Sequence, residues 1–95
     1  MLESDLEQIF RHAVRADLRG WTMKMVPAEK GAPDRIVCLP GSRMRLVELK
    51  TETGRLSPKQ RHLHAKLAKL GTTVDVVVGR QGIVDWVAAR LAEYN

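Results

Sequence analysis

Cysteine and aromatic residues are scarce in this chain: one Cys, one Phe, one Tyr and two Trp in 95 residues. A lone cysteine excludes an internal disulfide. Cys38 lies in the apolar run Arg35-Ile36-Val37-Cys38-Leu39, so a buried thiol is expected there rather than a nucleophile. Long hydrophobic runs are missing too. Nothing approaches the ~20 apolar residues of a membrane helix, and the opening MLESDLEQIF is acidic and amphipathic, unlike a secretory signal. These absences lead to the expectation of a cytoplasmic protein without a membrane partner. Internal repeats, low-complexity tracts and linkers are also lacking. One domain spanning residues 1–95 is expected, its core thin enough that a homodimer is reasonable.

Positive charge is plentiful. Sixteen Lys and Arg against eleven Asp and Glu give a formal net charge of +5 and a pI near 9.9. The basic residues are spread along the chain, which suits a polyanion, with nucleic acid the first candidate.

Leu6, Ile9, Phe10, Ala13, Val14 and Leu18 recur at helical spacing, and Ser4-Asp5-Leu6-Glu7 has the form of a capping box, so a first helix ending near Gly20 is predicted. Strands follow at Trp21–Val26, Arg35–Leu39 and Arg43–Lys50, separated by a loop from Pro27 to Pro33 and a turn at Pro40-Gly41-Ser42. The third strand carries apolar residues on both faces, the pattern of a central strand covered on two sides. Ser57-Pro58-Lys59-Gln60 announces a second helix by its cap, its first-position proline and its third-position glutamine. Leu63, Leu67 and Leu70 form its stripe and Gly71 its stop. A β-branched strand, Thr72–Val78, precedes a loop at Gly79–Gly82 and a closing helix from Ile83 to about Tyr94. The predicted order is α-β-β-β-α-β-α. A three-strand meander and a parallel crossover make an α/β fold, a mixed four-stranded sheet flanked by helices.

Two opposite charges stand out within GAPDRIVCLPGSRMRLVELKTETG. Glu48 and Lys50 are two apart on a strand and share a face. A three-residue loop at 40–42 sets Leu39 opposite Arg43 and brings Asp34 opposite Glu48 on that same face; a two-residue loop turns Asp34 to the other side. Two adjacent carboxylates repel unless a cation lies between them. Mg²⁺ accepts one or two carboxylates and keeps several waters, and a neighbouring lysine can orient or deprotonate water and offset charge on a phosphorane-like transition state. The grouping is that of phosphodiester hydrolysis. Against it stands the ordinariness of each piece, because Glu and Lys two apart are usually solvated neighbours and Pro-Asp is often a turn.

Gly-Ala-Pro-Asp-Arg-Ile-Val, Val-Glu-Leu-Lys and Gly-Arg-Leu-Ser-Pro-Lys-Gln-Arg together resemble the VRR-NUC family of the PD-(D/E)xK nuclease superfamily, many of whose members are carried by phages. The resemblance runs from Glu3 to about Val78. It implies a restriction-endonuclease-like core and an Mg²⁺- or Mn²⁺-dependent DNA endonuclease. For stand-alone phage-type members it implies a homodimer cutting branched DNA such as Holliday junctions. By the same resemblance Asp34 and Glu48 are metal-binding acids, the Leu49 carbonyl is a further ligand and Lys50 is the catalytic lysine. Gln60 takes a place near the active site, although its position in a capping box explains it equally well. A first-helix glutamate joining the metal shell is implied, and Glu3 and Glu7 compete for it, four apart on one face. If Ser4 is the cap, Glu7 belongs to capping and Glu3 is left for the metal; if the helix starts earlier, both can point inward.

His12, His62 and His64 lack zinc-like spacing and are expected at the surface or near DNA. Arg35, Arg43, Arg45, Lys59, Arg61 and Lys66 are candidate phosphate contacts, each individually more typical of a solvated charge. Trp21 and Trp86 suit a core or a dimer contact, and Ile83–Val87 suits the covering of a partner subunit. The rival readings are a non-catalytic DNA-binding module and a nuclease core active only with a partner protein.

Overall fold

The computed structural model describes residues 1–26 and 29–94. Pro27 and Ala28, at the start of the expected loop, lie outside the described residues. Seven elements follow the expected order: α1 (Glu3–Ala16), β1 (Trp21–Lys24), β2 (Arg35–Leu39), β3 (Arg43–Lys50), α2 (Pro58–Lys69), β4 (Val74–Val78) and α3 (Gly79–Ala92). The sheet runs β1-β2-β3-β4, the first three strands antiparallel and β4 parallel to β3.

The core lies on one face of this sheet. Val37, Leu39, Val47, Leu49 and Val77 point to it, and α1 and α3 close over them with Leu6, Phe10, Val14, Ile83 and Trp86. Phe10 is fully buried and meets the Trp86 ring at 5.2 Å between centroids. Trp86, Ile83 and Val87 thus pack inside their own subunit, and the expectation that Ile83–Val87 covers a partner is corrected.

The opposite face is only partly covered, contrary to the expectation for β3. Strand alternation puts Trp21, Met23, Ile36, Cys38, Met44, Leu46, Val76 and Val78 there. Trp21, Met23, Met44, Val76 and Val78 are between 40% and 62% exposed. Cys38 is exposed as well, so the buried-thiol expectation fails. An apolar strand does not bury both faces when only one carries a full helical layer.

Helix boundaries shift for identifiable reasons. The α1 cap is Leu2, not Ser4: Asp5 N–H reaches the Leu2 carbonyl at 3.1 Å, and its carboxylate accepts from Leu2 N–H at 3.3 Å. Arg19, at φ 56°, turns the chain before β1. The expected Gly79–Gly82 loop is instead the first turn of α3, entered directly from β4. At the other boundaries β1 ends at Lys24 and β4 begins at Val74, shorter than predicted.

The second helix begins as the sequence indicates. Ser57 Oγ accepts from Gln60 N–H at 3.1 Å and Gln60 Oε1 accepts from Ser57 N–H at 2.9 Å. It ends with Gly71 at φ 89°, where the Thr72 and Gly71 amides reach back to the Leu67 and Ala68 carbonyls. Its stripe is not buried: Leu63 and Leu67 are half-buried and Leu70 is 75% exposed. Because this helix has so little packing behind it, Ser57→Ala is expected to lower stability by about 1 kcal/mol and to increase amide exchange first within residues 58–63. Hydrogen exchange followed by mass spectrometry checks this.

Candidate active site

The turn sets the site. Leu39 pairs with Arg43 and Arg35 with Val47, so the 40–42 turn has the odd length required. One step further in the same register, Asp34 lies alongside Glu48. Asp34 Oδ1 accepts from Leu49 N–H at 3.4 Å, and its charge is felt at Glu48. Gly31, three residues before Asp34, takes φ 89°, and a Cβ there would come within 2.5 Å of the Lys59 carbonyl. The loop carrying Asp34 is thereby seated against the first turn of α2.

Glu48 is buried although it is charged at ordinary pH in water. Its side chain is 4% exposed and Oε1 has no hydrogen-bond partner among the described residues. Burial and then the Asp34 charge push its carboxyl up to about 7, with Lys50 pulling the other way. Asp34 is raised too, chiefly by burial, and eased by the Leu49 amide. The pair favours either a shared proton or a cation. Lys50 is half-buried on the same face and makes no ion pair among the described residues.

The two candidate glutamates of α1 approach from the layer beneath. Both are within the helix, so the capping role considered for Glu7 is excluded. Glu7 is instead neutralised by Lys24 at 3.0 Å and approached by Arg35 at 3.9 Å, which raises the Lys24 pKa. Glu3 makes no ion pair among the described residues, and its charge contributes to raising Glu48. Gln60 Oε1 is engaged by the cap of α2. Among the described residues no three His, Cys, Asp or Glu side chains gather closely enough to form a metal cage. The donors that fit a divalent ion are the paired carboxyls of Asp34 and Glu48 with a backbone carbonyl such as that of Leu49, an oxygen set suited to Mg²⁺ or Mn²⁺ with water completing the shell.

His64 is the residue sequence reasoning misplaced. Its Nε2 lies 3.7 Å from Glu48 Oε1, its side chain is 12% exposed, and Nε2 also lacks a hydrogen-bond partner among the described residues. Burial, then Lys50, pushes the imidazole pKa down, which keeps the ring neutral. The available signal was its spacing: four residues after Gln60, it lies on the same face of α2.

Several arginines expected to meet phosphate are committed inside the molecule. Arg35 is 3% exposed and donates to Thr22 Oγ1 at 3.1 Å. Arg45 grips Asp75 through two bonds of 2.7 and 2.8 Å, and Arg43 reaches Glu93 at 3.1 Å. The available basic surface lies elsewhere. A groove of about 430 Å³ between Glu29-Lys30 and α2 is lined by Lys30, Lys59, His62 and Lys66. Among the described residues no helix is long and apolar enough to cross a membrane.

Comparison with known proteins gives the family of this fold. A solved structure described as a VRR_NUC domain superposes with a TM-score of 0.72, at 27% identity over 100% of both chains. A protein named "Putative nuclease p44", from Acyrthosiphon pisum secondary endosymbiont phage 1, is 39% identical over 51 residues; the match covers 54% of this chain and 55% of that relative. The chain thus spans about half the length of the curated relative it matches. The family model of the VRR-NUC domain matches residues 1–81. The chain belongs to the VRR-NUC domain family.

Proposed function

We propose that residues 1–95 form a single nuclease domain that hydrolyses phosphodiester bonds of DNA, as a metal-dependent endonuclease selective for branched substrates such as Holliday junctions. The observation that carries this reading is the register that sets the half-buried Asp34 alongside the buried Glu48, with Lys50 beside them on one face of the sheet. A protein that only bound DNA would gain nothing from two acids facing phosphate. The family match and the name of the phage relative support a nuclease.

Asp34, Glu48 and the Leu49 carbonyl would hold Mg²⁺ or Mn²⁺, with Glu3 favoured over Glu7 as the contribution from α1 because Lys24 and Arg35 already engage Glu7. When bound, the ion supplies Lewis-acid polarisation and a lowered pKa for water. Lys50 orients the attacking water and offsets charge at the phosphorus. Gln60 supports the rim through its amide NH₂. Lys30, Lys59 and Lys66 in the groove beside α2 hold backbone phosphates, so binding weakens steeply with salt. A second copy of the chain covering the open apolar sheet face would place two sites on opposite strands of a junction. The proposed setting is the cytoplasm of a bacterial cell carrying a phage or prophage.

Cleavage of a four-way junction, a flap and plain duplex, assayed with Mg²⁺, Mn²⁺ and EDTA, tests the proposal. Junction cutting that EDTA removes is expected. Asp34→Ala, Glu48→Ala and Lys50→Ala are each expected to abolish it while junction binding persists. Binding without cutting in any metal would favour the passive module, and cutting restored by an added partner protein would favour a dependent core. Light-scattering mass under reducing conditions decides the dimer.

A further inference from the structure

We infer that His64 is a positioning residue of this site: its Nε2–H donates to Glu48 Oε1, fixing the carboxylate and leaving its second oxygen for the ion. The inference rests on the metal-site reading above. Its basis is that two buried polar atoms, each without a hydrogen-bond partner among the described residues, face one another at 3.7 Å across the α2–β3 interface. A buried polar atom without a partner is costly, and polar atoms of native interiors are nearly all satisfied. Closure by roughly 0.7 Å brings the pair into hydrogen-bond range and satisfies both at once. Little resists such a closure. The helix has no fully buried residue, and among the strands and other helices only β4 makes more than slight contact with it.

The chemistry selects donation over direct ligation. A ligating carboxylate is itself usually held by an outer hydrogen bond that sets its orientation. Asp34 already supplies the second carboxylate, and an oxygen-seeking ion such as Mg²⁺ has little use for an imidazole. His62, two residues away, lines the basic groove instead of facing Glu48, and it provides an internal control.

Mn²⁺ binding measured by electron paramagnetic resonance, with thermal unfolding of each metal-free variant, tests the inference on the full chain. Glu48→Gln is expected to remove tight binding; if the parent chain binds no Mn²⁺, or Glu48→Gln binds as the parent does, the metal-site reading itself fails. Given binding by the parent, His64→Ala is expected to weaken it roughly 10- to 100-fold. His64→Gln, whose amide nitrogen occupies the place of Nε2, is expected to restore most of that loss. His62→Ala is expected to bind as the parent does. Undiminished affinity in His64→Ala, or a loss that His64→Gln leaves uncorrected, would overturn the role of His64 alone.

Discussion

Glu48→Gln is expected to yield a protein that is more stable without metal yet roughly a hundred- to a thousand-fold slower at cutting DNA. Both effects have one cause. The Glu48 carboxyl titrates at about 7 instead of 4.5, because it is buried and faces Asp34. A carboxyl raised on folding favours the native state while protonated. Its contribution is therefore complete below pH 4.5 and is lost as pH climbs from 4.5 to 7; Asp34 shifts in the same direction. At ~1.4 kcal/mol per pH unit, reduced for partial solvent screening, the loss is about 2 kcal/mol. Glutamine removes it, because its amide stays neutral and can donate to the ionised Asp34. Urea unfolding in EDTA across pH 4 to 8 is the measurement. The parent should lose stability over that window, the variant should stay nearly level, and parallel curves would reject this account of Glu48.

Asp75→Ala is expected to cost the fold about 3 kcal/mol. This carboxylate stands where β3, β4 and α3 meet. It receives two bonds from Arg45, the Trp86 indole N–H at 2.9 Å and Arg90 at 3.1 Å. Burial would raise its pKa, but the Arg45 and Trp86 hydrogen bonds and the two guanidinium charges outweigh it and hold the group below its ordinary value. A depressed carboxyl stabilises the native state above its unfolded pKa, near 4, and loses that contribution as pH falls through the folded one. The sign is opposite to that of Glu48, so the two groups act at different ends of the acid range. Alanine leaves Arg45 partly buried without its counterion, while Arg90 keeps Glu93 at 3.1 Å. Domains of this length have roughly 5–14 kcal/mol in total, so a large fraction is at stake. Chemical denaturation at neutral pH measures it, and a cost under 1 kcal/mol would show that solvent already screens these charges.

The acid pair was legible in the sequence because strand alternation and turn length are discrete. Once 40–42 is a three-residue turn, the faces of Asp34, Glu48 and Lys50 follow with no further information. The Ser57 cap was legible for the same kind of reason, since its hydrogen bonds span three residues. What failed depended on distant layers. The exposure of Cys38 turns on how much of one sheet face α2 covers, and local pattern does not encode that. The commitment of Arg35, Arg43 and Arg45 depends on partners that lie 13 to 50 residues away. Asp75 gave no signal because one aspartate in a valine-rich strand looks like an edge charge. His64 became meaningful only when the crossover laid α2 against Glu48.

The hairpin joining β2 to β3 also limits how its gene can drift in length. If the bend keeps three residues, losing or gaining one codon at positions 40–42 would invert every side chain of β2 relative to β3, sending Asp34 toward Val47 and Val37 toward water. A change of two codons would keep the parity. Viable length variants that keep a three-residue bend should therefore come in even steps, however exposed the bend itself is.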